Sequence, residues 1–390
     1  MNILILGATG FIGKNILLSL SHDHRIIAAS RKNTADFPLW RKVDFTGKNN
    51  WDEILEGVEM VINAIGIIEG DFQKIQTDAP LQLLNACEQK NIRLLNISAI
   101  GAEKEKPLTE FLQTKKSADE KILAYKNGKV VYAGIVLGSE GKSSQMFASL
   151  AKLPFIPLPS DNLLSFTHIS QLCGLIKDIT ERFNDFPKQI FAVAEPEKLS
   201  AILSAMKGRK VRCMKIPVGL VSFLFAIFPK ASIGIFNKNS FLLFRKLNSA
   251  DYKPMFSKAS ELIEAGSIKG ENIFAPILAL LSIVFIWIWS GVSSLVNSEE
   301  SFRLMHEIGA NEIISALAIY AGSAADIILG IGVIGKKYRK QILLLQMMLV
   351  LVYTIILSVF APHYWLHPFG ILSKNIPLLA LSYFLFVKED

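Results

Sequence analysis

Cysteine is scarce in this chain: Cys87, Cys173 and Cys213 are the three among 390 residues. None of them has the short pair spacing of a zinc site or a redox motif, so a thiol metal centre and a disulfide framework are not expected. The usage predicts plain core thiols in a reducing compartment. The opening MNILILGATG is too short in apolar length for a secretory signal and runs directly into a glycine-rich bend. Neither a fixed-period repeat nor a low-complexity tract is present. Charge is the other shortage. From residue 271 onward there are seven Lys/Arg and eight Asp/Glu, whereas residues 1–270 carry a net excess of nine positive charges. Those basic residues are scattered and not interleaved with stacking aromatics, so a nucleic-acid partner is not expected.

What is present is length and apolar surface. A chain of 390 residues predicts two domains. The apolar fraction of 51% and mean hydropathy of +0.36 are high, and they concentrate at the C-terminal end. Four apolar segments follow one another there, over 273–296, 313–334, 341–361 and 371–387. The first three reach the roughly 20 residues needed to cross a hydrocarbon core, and the fourth is marginal, with Lys374 near its interfacial end. The domain expected over 271–390 is therefore an all-α four-helix transmembrane domain. GKKYRK, between the second and third segments, is strongly basic, while NSEESFRLMHEIGANE, between the first and second, is mainly acidic. Tyr364 and Trp365 in the third connection suit a membrane interface. The positive-inside rule then predicts an integral protein of the inner membrane, with GKKYRK, the N-terminal domain and the C-terminus in the cytoplasm. Asp326 lies inside the second segment, near Gly322, Gly330 and Gly332. A carboxylate at that depth must face the bundle interior or water, with Gln346, His363 and His367 as candidate partners. Packing through small residues explains the glycines equally well.

The domain expected over 1–265 is an α/β Rossmann-type doubly wound parallel sheet. NILIL reads as a strand, GATGFIG as a turn and GKNILLSLSHDH as a helix, the context a dinucleotide fingerprint requires. Gly7 permits the tight turn, Gly10 lets the backbone approach a pyrophosphate, and Gly13 lets the helix pack closely on the sheet. Thr9, Phe11 and Ile12 complete that phosphate-facing turn at the helix N-terminus. RIIAA is the next strand, and Ser30, Arg31 and Lys32 follow it where an NAD site usually places an acid. Two cations suit a ribose 2′-phosphate, so NADP is the expected cofactor, with NAD as the alternative. Strand-like runs recur at VEMVINAIG, IRLLNISAIGA and GKVVYAGIVLG, with helical stretches between them.

GATGFIG, VDFT, VINAIG, NISAIGAE, the FLQTK helix, and GIVLG followed by SFTHIS together resemble the atypical, extended short-chain dehydrogenase/reductases. The nearest group is the NmrA-like set, which includes an accessory subunit of respiratory complex I. The resemblance covers about the first 200 residues. The apolar tail, with GSAADIILG, YTIILSVFAPHYWLHPFG and ILSKNIPLLALSYF, is similar to the DoxX-like family. The first resemblance implies that Asp44 approaches the adenine and that Asn63, Ala64 and Gly66 lie along the cofactor. It also implies that Ser98 is the catalytic serine and that Lys115 binds the nicotinamide ribose. In that family the lysine tunes a tyrosine four residues earlier. Here the position is Phe111, which has no proton to give. Aligning on Lys116 instead places Leu112 there, and Tyr125 and Tyr132 are poorly placed. Tyr132-Ala133 also stands where the family usually has Arg-Pro.

Between the domains, a small lobe over about 195–265 contains KGRKVRCMKIP and then an apolar run from Ile216 to Phe228, too short to span. Its five cations (Lys207, Arg209, Lys210, Arg212, Lys215) suit an anionic membrane surface, and they equally suit a solvated strand. Three functions follow from these features. One is a membrane-anchored NADP(H)-binding oxidoreductase or isomerase for an apolar, lipid or quinone-like substrate. The second is a non-catalytic NADP(H)-binding module for redox sensing or assembly, favoured by Phe111. The third, a nucleotide-gated transporter, rests on Asp326.

Overall fold

The computed structural model describes residues 1–33, 37–68, 70–227, 238–246, 251–270, 274–368 and 370–389. It divides into two compact units, Met1–Glu271 and Asn272–Asp390. The first unit begins with β1 (Asn2–Leu6), α1 (Phe11–Leu20), β2 (Arg25–Ser30), β3 (Trp40–Lys42), α2 (Trp51–Ile54), β4 (Met60–Asn63), α3 (Ala79–Lys90), β5 (Arg93–Ala99), α4 (Glu110–Ala124) and β6 (Gly128–Ala133). Next come β7 (Ile135–Leu137), α5 (Lys142–Ala151), β8 (Ile156–Leu158), β9 (Leu163–Leu164), β10 (Phe166–His168), α6 (Ile169–Glu181) and β11 (Gln189–Ala192). The unit closes with β12 (Glu197–Lys198), α7 (Leu199–Lys207), β13 (Cys213–Lys215), α8 (Val218–Ile227) and α9 (Lys238–Lys246).

Seven strands form one sheet in the order β3-β2-β1-β4-β5-β6-β11, every pairing parallel. Its strands read as continuous apolar runs because helices cover both faces. Leu4, Leu6, Val61 and Val130 pack towards Leu83, Leu112 and Ile122 of α3 and α4. Ile3, Ile5, Ile62 and Val131 face Ile16 and Leu20 of α1 and Ile176 of α6. Each such fully buried side chain contributes about 1.5–3 kcal/mol. Parallel pairing brings the C-terminal ends of β1, β2, β4 and β5 to one edge of the sheet, where ligands of such folds bind.

GKVVYAGIVLG is not one strand. It breaks at Gly134, where an added Cβ would come within 2.6 Å of the Ser165 carbonyl oxygen. β7 therefore leaves the sheet and pairs with β10. The small lobe is built on the short pairs β8·β13 and β9·β12. Cys87 and Cys173 are core thiols as expected, but Cys213 on β13 is exposed. The apolar run from Ile216 is helical as α8, and its last residue, Phe228, lies outside the described residues.

In the second unit the long helices are α10 (Phe274–Val296), α12 (Glu312–Gly332) and α13 (Arg339–Phe360), all long and apolar enough to cross a membrane. Ile273, the expected first residue of the first span, lies outside the described residues. The acidic connection, expected as a loop, carries the helix α11 (Ser298–Glu307). The expected fourth span is shorter: α14 (Asn375–Lys388) has 14 residues. At 1.5 Å per residue that is roughly 21 Å, against a hydrocarbon core of about 30 Å. Gly370 takes a left-handed φ of 61° and residues 371–374 form a turn, so the helix starts late. It still returns to the basic end of the bundle, since Arg339 at the start of α13 pairs with Glu389 at 2.8 Å.

Asp326 points into the bundle, buried, and hydrogen-bonds with Ser290 of α10. Gln346, one of its expected partners, is also interior and donates to the Leu329 carbonyl at 3.1 Å. His363 instead lies beyond α13, 3.1 Å from Glu307, and the His367 ring packs near Tyr364. Gly291 and Gly330 do packing work at this level. A Cβ on Gly291 would meet the Ser323 carbonyl oxygen at 2.6 Å, and one on Gly330 would meet the Ile288 side chain at 2.9 Å. Gly291→Val will therefore force α10 and α12 apart and cost about 1–3 kcal/mol, read as a lower melting temperature in detergent. Unchanged melting would show that this helix contact is not required.

Candidate active site

β1 leads into Gly7, whose φ of 76° only glycine adopts without strain. The next bend delivers Gly10 as the N-cap of α1, with no side chain capping the helix. The first N–H groups of α1 are thus left for a ligand, as an anion-binding helix start requires. A Cβ on Gly7 would come within 3.2 Å of the Ala64 backbone, and one on Gly13 within 2.2 Å of the Gly7 carbonyl oxygen. Thr9 and Gly10 are exposed at the bend. Phe11 turns its ring to Gly138 and Gly141, and Ile12 packs against the core, so these two offer backbone rather than side chain. Lys14 pairs with Glu140 at 2.8 Å and ties the same loop to α1. These features fit a pyrophosphate.

β2 ends in Ser30, whose hydroxyl donates to the Lys32 carbonyl at 2.7 Å and accepts from Trp40 Nε1 at 2.9 Å. That bracing leaves Arg31 and Lys32 exposed at the strand edge. Asp44 accepts from Thr46 N–H at 2.9 Å and Thr46 Oγ1 at 2.7 Å. These bonds, with the Arg31 and Lys42 charges, hold its carboxyl below the usual carboxylate range.

The strand edges further along carry a buried polar ladder. Asn63 Nδ2 donates to Asn96 Oδ1 at 2.7 Å, and Asn96 Nδ2 donates to Asp119 Oδ1 at 2.8 Å. Ser98 Oγ lies 2.5 Å from Asp119 Oδ2. Asn63 is 2% exposed, and its side chain shapes the bend by accepting from Ile65 N–H. Ala64 and Gly66 follow in that bend. Lys115 Nζ lies 3.8 Å from where a Gly66 Cβ would sit, and donates to the Ile97 carbonyl at 3.4 Å, one residue from Ser98. The structure thus brings Ser98, Lys115 and Gly66 together at the end of β4 and β5.

Thr109 caps α4 by accepting from Leu112 N–H, which starts the helix just before Phe111. Phe111, Lys115 and Asp119 follow at four-residue spacing on one face. A π-helical turn, Gln73–Asp78, locks this face in place: Gln76 Oε1 accepts from Thr114 Oγ1 at 2.9 Å, and Thr77 Oγ1 donates to the Thr114 carbonyl at 2.8 Å. Phe111 packs edge-on against Phe72, with ring centroids 6.0 Å apart, and Lys115 Nζ stands 5.7 Å from the Phe111 ring. Burial holds the Lys115 ammonium below its usual range, opposed by the Asp119 carboxylate. Burial pushes the Asp119 carboxyl up to about 6, against the lowering effects of Lys115, Ser98 and Asn96. Neither alternative tyrosine fills the gap at 111. Tyr125 donates to the Ile92 carbonyl at 2.9 Å, and Tyr132 is buried and stacked on Phe191.

Asp119 and Asn96 are the site residues that the sequence pattern did not single out. The available signal was spacing: Asp119 is one helical turn beyond Lys115 on the face that carries Phe111. Two open cavities, of about 430 Å³ beside Phe45 and Lys74 and of about 580 Å³ beside Asp161 and Cys213, are not lined by Ser98, Lys115 or Asp119.

Residues 3–150 match the NAD dependent epimerase/dehydratase family, and residues 284–383 match the DoxX-like family. A ceramide reductase of Caulobacter vibrioides (strain NA1000 / CB15N) is 21% identical over 169 residues, 40% of this chain. The chain spans about half (53%) of the length of that relative. UDP-glucuronic acid 4-epimerase from Bacillus cereus, solved in complex with NAD, is 18% identical with a TM-score of 0.47, covering 64% of this chain and 99% of that one. dTDP-4-dehydrorhamnose reductase from Yersinia enterocolitica is 17% identical with a TM-score of 0.47, covering 56% and 85%. The chain therefore joins an N-terminal domain similar to the NAD dependent epimerase/dehydratase family to a C-terminal DoxX-like region with membrane-capable helices.

Proposed function

We propose that this chain is a membrane-anchored, NADP(H)-dependent oxidoreductase that acts on an apolar carbonyl compound. The observation that carries the reading is the meeting of Ser98 and Lys115 beneath the Gly66 bend, at the same sheet edge as the uncapped α1 N-terminus. Gly7, Gly10 and Gly13 would hold the pyrophosphate, and Lys115 the nicotinamide ribose. Exposed Arg31 and Lys32 after Ser30 favour a 2′-phosphate over a free hydroxyl. A bound nicotinamide would supply the hydride; the chain's own part is to orient the carbonyl at Ser98 and deliver a proton there.

The substrate class has two supports. The curated relative is named a ceramide reductase, which makes a long-chain lipid carbonyl the first candidate. The small lobe exposes Phe155, Met214, Leu220 and Phe223 beside Arg209, Lys210, Arg212 and Lys215, a composition suited to an anionic lipid surface. By the positive-inside rule GKKYRK is cytoplasmic, and the nucleotide-binding domain lies on the same side of an inner membrane. Phe111 favours a second reading, a non-catalytic NADP(H)-binding module coupled to the membrane domain.

The two readings separate in one experiment. Purified full-length protein should melt at a higher temperature with NADPH and oxidise it when given long-chain carbonyls or quinones. Tight binding with no oxidation by any acceptor would leave only the second reading standing. The cofactor choice is tested by Arg31→Asp with Lys32→Ser, which should lower the preference for NADPH over NADH by about tenfold or more. An unchanged ratio of dissociation constants would remove Arg31 and Lys32 from the site.

A further inference from the structure

The missing tyrosine leaves a carbonyl reductase without a proton donor, and the ladder behind Ser98 contains one. Asp119 is 1% exposed, and it is held from two sides. The direction of donation along the ladder is set at its far end. Asn63 donates to Asn96 Oδ1, so Asn96 presents its Nδ2 to Asp119 Oδ1 and that oxygen is confined to accepting. A proton on Asp119 must therefore sit on Oδ2, the oxygen 2.5 Å from Ser98 Oγ. Two states follow from this one contact. With Asp119 ionised, the Ser98 hydroxyl points inward and donates to it. With Asp119 neutral, the carboxyl donates to Ser98 Oγ and the serine hydrogen is turned outward.

We propose that Asp119 delivers the proton for carbonyl reduction through Ser98 Oγ, in the role that the tyrosine absent at Phe111 would have held. This rests on the carbonyl-reducing reading above. Ser98 is the residue that touches the substrate, and Asp119 is a positioning residue behind it. When bound, the nicotinamide supplies two electrons and a hydrogen as hydride to the carbonyl carbon. The carbonyl oxygen forms its new O–H bond with the Ser98 proton as the Ser98 O–H bond breaks, and Ser98 Oγ takes the Asp119 Oδ2 proton. Ser98 ends unchanged, the substrate ends as an alcohol and Asp119 ends as a carboxylate. A solvent proton returns Asp119 to its neutral form between turnovers.

The surroundings suit both forms. Lys115 from the same helix offsets the carboxylate after transfer, while Glu103 from the segment after β5 opposes it. Tyr132 from β6, Asn96 and Ser98 complete the groups facing Asp119. Burial holds the carboxyl up at about 6, near the working range of a general acid at neutral pH. Neither Lys115 nor Phe111 is an alternative donor to Ser98. Lys115 Nζ is turned to the Ile97 carbonyl, and Phe111 has no exchangeable hydrogen.

The test uses the full-length protein in detergent with NADPH and a long-chain aldehyde, from about pH 5 to about pH 8. Difference infrared spectra of wild type against Asp119→Asn should contain the carbonyl band of one neutral carboxylic acid, vanishing with an apparent pKa near 6. Asp119→Asn and Ser98→Ala should each lower kcat about 100-fold or more, with NADPH binding retained. Phe111→Tyr should then restore turnover in the Asp119→Asn background, because a tyrosine beside Lys115 bypasses the relay. A merely structural Asp119 predicts no such rescue. Should Asp119→Asn melt well below wild type, Asp119→Glu carries the same test, with partial activity and a shifted pH profile expected. An Asp119 that stays ionised throughout, or an Asp119→Asn protein with wild-type kcat and pH profile, overturns the relay while leaving the reductase reading intact. NADPH binding with no carbonyl reduced by wild type overturns both.

Discussion

Gly13→Val will abolish binding of the proposed dinucleotide cofactor and destabilise the first unit. A Cβ at this position lies 2.2 Å from the Gly7 carbonyl oxygen and 2.7 Å from its carbon. Both contacts are backbone, so no rotamer change relieves them. The only remedy is to lift α1 off β1 by more than an ångström, which opens the bend at Gly7 and withdraws the α1 amides from the phosphate site. α1 is also seated on the sheet by Ile16 and Leu20, both fully buried, and their contacts would be lost with the shift. Overpacking of ordinary cores costs about 1–3 kcal/mol, and a backbone clash without a soft neighbour belongs at or above the upper end. Gly174 on α6 provides the control. Nothing lies within 4 Å of its Cβ position, and Gly174→Ala should be neutral or stabilise by roughly 0.5–1 kcal/mol. Thermal melts with and without NADPH read both variants. A Gly13→Val protein that binds NADPH within threefold of wild type would remove the fingerprint from the cofactor site.

Lys115→Met will cost the first unit about 1–3 kcal/mol at pH 8 and distinctly less at pH 5. The substitution keeps most of the apolar stem and deletes the ammonium, leaving Asp119 buried with only Ser98 and Asn96 to meet its charge. The pH dependence follows from linkage. The unfolded carboxyl titrates near 3.9, and the native one is raised to about 6. Between those values the native state binds more protons than the unfolded state, so stability falls as pH rises through the window. In wild type the fall ends near the native value. Without Lys115 the native pKa moves higher, and the fall continues towards neutrality. The gap between variant and wild type therefore widens with pH. Equal losses of melting temperature at pH 5 and pH 8 would show that Asp119 does not carry charge in the native protein.

The glycine fingerprint, the alternation of strands and helices, and the three long spans were all legible before folding. Each is a local pattern, in which Gly7 must adopt a positive φ and a 23-residue apolar helix cannot be solvated whatever surrounds it. Other features were not legible in this way. The break at Gly134 depends on the Ser165 carbonyl, 31 positions later in the chain. The start of α14 at Asn375 depends on a turn after Gly370 that apolar periodicity does not register. The Asn63 amide is committed to Asn96, a partner on the neighbouring strand that spacing along the chain does not reveal.

FLQTK shows the division most clearly. The identity of Phe111 and the helical spacing to Lys115 are sequence properties, and they establish that the usual proton donor is absent. Whether the face holds another donor is a tertiary question. A carboxyl with an ordinary pKa is no acid catalyst at neutral pH, and it is desolvation between α4 and β5 that raises the Asp119 carboxyl, against the hydrogen bonds of Asn96 and Ser98. Composition and spacing determined the strand–turn–helix opening and the membrane-capable helices. Burial, which depends on distant segments packing together, decided which of its polar groups meet at the sheet edge.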